Sequence, residues 1–145
     1  AQQESPERVR LSIEVGSQFE PMATASGRLL LAQLDEAGRS AILAESRDGR
    51  GMTRKARRSA EAGLAKLRKK NISMAESETI EGVRDVAVLI GNPGAGVMGA
   101  LAITRLLRRG QRGNEAALIA EMTAAAAAVT RTLGLSGLPL QGRAG

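Results

Sequence analysis

An α+β fold, with helices packed on an antiparallel sheet, is what the 145-residue sequence predicts. Three observations carry the expectation. Val9, Leu11, Ile13 and Val15 alternate with Arg8, Arg10, Ser12 and Glu14, the period of a half-buried strand with one wet face. Residues 83–90 form an almost continuous β-branched and apolar run that ends in turn chemistry at Asn92-Pro93-Gly94. Segments with helical periodicity lie before and after that run. The order strand, helices, strands, helix suits segregated helices and sheet better than repeating βαβ units.

After the first strand, Thr24 or Ser26 is placed to cap a helix carrying Leu30, Leu31 and Leu34. Asp35 caps a second short helix with Ile42 and Leu43, and residues 47–51 read as a polar loop. A third helix is predicted from Thr53 to about Lys70, with Ala56, Ala60, Leu64 and Leu67 on one face and Asn71 as a left-handed terminator. Residues 72–75 read as a short strand, 76–81 as a polar segment, 83–90 as a central strand, and 97–104 as a strand or a helix. The last helix covers about 114–133 and carries Leu118, Met122, Val129 and Leu133 along one stripe. Residues 135–145 lack periodicity and are expected to be a flexible tail behind one domain spanning 1–134. Residues 1–7 are polar and give no sign of a translation start, which reads as a truncation.

Composition narrows the chemistry. The chain has neither Cys nor His, so thiol catalysis, histidine-based triads, disulfides and the common zinc sites are excluded. No metal or cofactor is expected. Phe19 is the single aromatic residue, which leaves no stacking platform for single-stranded nucleic acid. No apolar run reaches the ~18 residues of a membrane helix, and a cytoplasmic protein with no membrane partner is expected. The net charge is +6, and eight basic residues fall within 54–70 with Glu61 as the only acid there. That helix reads either as a solvated amphipathic face or as a phosphate-facing patch.

Gly94-Ala95-Gly96-Val97-Met98-Gly99 matches the dinucleotide-binding pattern, with Glu115 about twenty residues on. The surroundings contradict that use. Glu115 opens an alanine-rich helix instead of ending a second parallel strand, and Asn92-Pro93-Gly94 suits a hairpin loop. In the hairpin, Val83, Asp85, Ala87 and Leu89 share a face, as do Met98, Ala100, Ala102 and Thr104. Asp85 and Thr104 are the polar interruptions of these faces. Each needs a partner from protein, water or ligand if buried.

Two blocks carry a family resemblance. Phe19-Glu20-Pro21-Met22-Ala23-Thr24-Ala25-Ser26-Gly27-Arg28-Leu29-Leu30-Leu31-Ala32 resembles a segment of the IclR family of bacterial transcriptional regulators. There the family has proline, an apolar residue and His, then Ala-Thr-Ala-x-Gly-Arg/Lys-Ala-Leu-Leu-Ala. Residues 64–104 are similar in order and spacing to the family's helix, acidic stretch, glycine, strand, turn and closing strand. The resemblance covers roughly 9–134 and implies a GAF-like sensor domain. It further implies a small-molecule effector, DNA bound through an N-terminal winged helix-turn-helix absent here, assembly as homodimer or homotetramer, and no enzyme activity. The family pocket, transferred by position, falls on Ala25, Ser26, Ala75, Glu76, Asp85, Ala102 and Thr104. Amides at a helix start also attract carboxylates.

The sequence departs from the family at several of these positions. Met22 stands at the histidine position, Glu20 at a proline position, Ala75 at the usual acid, and Asn71-Ile72 at a Gly-Tyr pair. Asp85 adds a negative charge that disfavours a small dicarboxylate unless Arg84 or Arg10 compensates. The family's earliest sheet strands are expected to lie before Ala1. Two other classes compete: a basic nucleic-acid-binding module using the 54–70 helix, and a small enzyme using Asp85 or Glu76 as acid and base. Nothing in the sequence positions a nucleophile or metal beside those carboxylates.

Overall fold

The computed structural model describes residues 13–76, 82–106 and 114–136. Within them the chain forms α1 (Ala25–Gln33), α2 (Glu36–Glu45), a four-residue helix α3 (Arg47–Arg50), α4 (Arg54–Lys70), β1 (Ile72–Glu76), β2 (Val83–Asn92), β3 (Val97–Leu106) and α5 (Glu115–Thr132). The described strands make one antiparallel sheet in the order β1-β2-β3. The α+β class read from the sequence is the observed one.

The helix starts are set by side-chain oxygens that accept from otherwise orphaned amides. Thr24 accepts from Gly27 N, Asp35 from Gly38 N, Thr53 from Ala56 N and Asn114 from Ala117 N. Asn71 stops α4 with φ 55°, the left-handed conformation that asparagine tolerates, and its carbonyl accepts from Leu89 N at 3.1 Å. The chain thus turns from α4 directly into the sheet. Between β2 and β3 a 3-10 turn at Pro93–Ala95 closes a hairpin, with Gly96 at φ 72°. The glycine motif is a strand-to-strand turn, so it offers no helix N-terminus to a pyrophosphate.

Three expectations change. The polar loop at 47–51 is mostly the helical turn α3. Ser46 caps it, and the Glu20 carboxylate accepts from the amides of Arg47 (2.8 Å) and Asp48 (3.3 Å). That acceptor comes from 27 residues away, beyond any local pattern. The first strand falls mainly on residues outside those described, but 13–15 are not in a strand, and Val15 is 83% exposed. The stripe on α5 holds at Leu118 and Met122, then passes through buried Ala126, while Val129 and Leu133 are exposed. The tail is described only to Ser136.

Layers follow from the alternation of the strands. Ser73, Ala75, Asp85, Ala87, Leu89, Ala100, Ala102 and Thr104 share one face of the sheet, because antiparallel partners point the same way. Against it packs α1, with Ala25 and Leu29 buried among Ala75, Ala87, Leu89 and Ala100. The opposite side of α1 supplies Leu31 and Ala32 to a second cluster with Leu43 and Leu64. Burial on two sides explains a helix, ASGRLLLAQ, with only one charged residue. On the other sheet face Val86, Val88, Leu101 and Ile103 pack on Met122 and Ala126 of α5.

Candidate functional site

The start of α1 and one row of the sheet build the site. In register, Ala75 pairs with Asp85 and Asp85 with Thr104, so these residues cross all three strands as one row. The neighbouring row is Ser73, Ala87 and Ala102. Ala25, the first residue of α1, packs in the cluster that holds Ala75 and Ala87. Alanines make this floor, and small side chains let the helix start approach the strands closely.

The floor is closed at one end and open at the other. Ala25 is 1% exposed and Ala75 6%, whereas Ala102 and Thr104 on β3 are exposed. Thr104 Oγ1 donates to Asp85 Oδ1 at 2.7 Å, which answers where these two polar interruptions find partners. At the helix start Thr24 Oγ1 and Ser26 Oγ lie 3.4 Å apart. Gly27 N is already engaged by Thr24.

Of the seven residues singled out in the sequence, Ala25, Ala75, Asp85, Ala102 and Thr104 belong to this side of the sheet, with Ser26 beside Ala25 at the helix start. Glu76 does not join them. Strand alternation turns it to the α5 face, where it accepts from Arg84 at 2.6 Å. Glu115 of α5 lies 3.4 Å from the same guanidinium. The Glu76 hydrogen bond, opposed by desolvation and reinforced by Glu115, raises the Arg84 pKa above its ordinary value. Arg84 therefore serves two acids on the far face and does not neutralise Asp85. Arg10 lies outside the described residues.

Ser73 is missed by the sequence reading although it shares the face of Ala75. It is 1% exposed, and its Oγ has no hydrogen-bond partner among the described residues. The signal is present in the sequence: a strand through 72–75 puts 73 and 75 on one face and 76 on the other. A separate cleft of about 360 Å³ lies between α5, the end of α4 and the start of β1, lined by Lys70, Ile72, Val88, Thr123, Ala126 and Arg131 among others. It shares no residue with the candidate site. Among the described residues no cluster of carboxylates suits a metal ion, and no helix is long and apolar enough to cross a membrane.

The family described as bacterial transcriptional regulator IclR C-terminal matches residues 1–131. The chain belongs to the IclR family. No curated protein matches it. Among solved structures it is similar to a putative IclR transcriptional regulator of Silicibacter sp. TM1040, at 23% identity and a TM-score of 0.76. That match covers 94% of this chain and 54% of the other, so the IclR chain described here spans about half of that regulator. The C-terminal domain of the E. coli transcriptional regulator KdgR matches at 24% identity and TM-score 0.61, covering 79% of this chain and 71% of that one. A double mutant of the Acinetobacter PobR inducer-binding domain, in complex with 3-hydroxybenzoic acid, matches at 20% identity and TM-score 0.61, covering 88% of this chain and 73% of that one. At these identities the likeness shows the fold alone. The IclR family match makes this the C-terminal regulatory domain of a transcriptional regulator.

Proposed function

We propose that this IclR domain senses a small metabolite held between the start of α1 and the Ala75–Asp85–Thr104 row. Occupancy changes DNA binding by a helix-turn-helix domain within a homodimer or homotetramer. One observation carries the reading: the first residue of α1 is packed over a floor of alanines whose open end bears the Asp85–Thr104 pair. Backbone amides at the helix start favour an acid group, and Asp85 favours a hydroxyl or amine. The PobR inducer domain holds a hydroxylated aromatic acid, which supports a ligand carrying both kinds of group. The mechanism is linkage: the metabolite shifts the regulator between arrangements by its differential affinity, typically about 1–3 kcal/mol.

A thermal-shift screen with hydroxy acids, aromatic acids and sugars tests the proposal. A true effector at 100 times its Kd stabilises the domain by about 2.7 kcal/mol, seen as a rise of several degrees in Tm. Ala102→Phe, at an exposed position, is expected to leave the unliganded Tm within a degree or so and to abolish the shift. An effector whose shift survives Ala102→Phe and Asp85→Ala binds elsewhere and sinks this site.

A further inference from the structure

The outer surface of α4 is charged in a way that its own stability does not explain. Seven of its cations, Arg54, Lys55, Arg58, Lys66, Arg68, Lys69 and Lys70, are exposed. None of them has an ion pair among the described residues, and the helix's one acid, Glu61, is bonded to Arg39 of α2 at 3.1 Å. Opposite buried Leu64, helical spacing gathers Arg54, Lys55, Arg58, Lys66 and Lys69, and only Ser59, Ala62 and Ala65 stand between them. The result is a face about 25 Å long for 17 residues at 1.5 Å each, with Arg54, Lys55 and Arg58 at one end and Lys66 and Lys69 at the other, about 12 Å apart.

A face kept only for solubility mixes signs, with Glu and Lys four residues apart. Here Arg54 and Arg58 repel at that spacing, as do Lys66 and Lys70. The first turn has basic residues and no acid, against the positive end of the helix dipole. Packing does not demand these charges either, since α4 meets the rest of the fold through Leu64 and its neighbours on the other side.

We infer that this face binds the phosphate backbone of double-stranded DNA, separately from any operator-reading domain. A polyanion with one charge per about 1.7 Å of axis offers phosphates to both groups of cations at once, whereas a small anion reaches only one. Lipid is disfavoured because the face has no large apolar residue to insert, and a folded acidic protein because it has no aromatic or aliphatic anchor for an interface centre. Lysine and arginine on a flat helix contact phosphates and do not read bases, so the binding is independent of sequence. The inference does not depend on the proposed effector site.

Fluorescence anisotropy with the 145-residue chain and a labelled duplex of arbitrary sequence, about three helical turns long, provides the test, run across a salt series. The quadruple variant Arg54→Gln/Arg58→Gln/Lys66→Gln/Lys69→Gln is expected to weaken binding at least about tenfold at low salt. The slope of log affinity against log salt should flatten by about 0.9 for each phosphate no longer neutralised. Its Tm should stay level or rise, because like-charge repulsion is relieved. Arg47→Gln/Arg50→Gln, which removes exposed cations of α3, is expected to change affinity less than about twofold. Absent binding at low salt, equal weakening in the control, an unchanged slope in the quadruple variant, or preference for anionic vesicles over DNA overturns the inference.

Discussion

At Gly49 the main chain of α3 passes against the end of α2. A Cβ there would overlap the Leu43 carbonyl oxygen and lie 2.7 Å from its Cα. Both neighbours are backbone, so neither can swing aside. Gly49→Ala is therefore expected to cost about 3 kcal/mol, at the upper end of overpacking penalties, measured by urea denaturation. Gly63 offers the opposite case within α4, since nothing lies within 4 Å of the added Cβ. There the same substitution should stabilise by about 0.5–1 kcal/mol, through helix propensity and a less free unfolded chain. Residue type alone does not separate these glycines. What separates them is the sharp turn from α2 into α3, which brings Gly49 against the Leu43 backbone.

Among the elements, those with local signals are legible. The cap at Asp35, the cap at Thr24 (one of two the sequence allows), the helix starts at Thr53 and Asn114, the terminator Asn71 and the turn at 92–94 each rest on chemistry within four residues, and the structure has them there. Asn71→Ala is expected to destabilise by about 1–2 kcal/mol in the same urea measurement. Alanine is strained at φ 55°, and Gln33 is deprived of its acceptor at 3.2 Å. Asn71→Gly, which relieves the strain without restoring that acceptor, should fall between the two. Less legible is α5, because in an alanine-rich helix Ala126 packs as well as any larger residue. Periodicity shows which residues share a side of a helix, not how far the opposing surface extends. Glu76 departs from its expected group for a related reason: neighbours in an acidic stretch are adjacent in sequence, yet alternate residues of a strand face apart.

For the molecule as a whole, the sequence carries the class and the β2–β3 hairpin, whereas the pairing of Asp85 with Thr104 is given by the strand register. The sequence does not carry the layer order. In that order α1 stands between the sheet and α4, with α5 on the far side. Stacking of this kind depends on which sides of α1 are buried, and a helix apolar nearly all round gives no directional pattern to read.

The position of α1 has a mechanical consequence. It is a two-sided spacer, with Leu29 against the sheet at 0% exposure and Leu31 in the cluster with Leu64 at 2%. Close-packed layers move as units, so a guest that lifts the start of α1 also displaces α4 and the cations it carries. Effector and duplex are then expected to alter each other's affinity by the same factor, as linkage requires. Titrating DNA with and without effector, and effector with and without DNA, should return equal ratios. Two ratios of one would show α1 to be a rigid wall between independent sites.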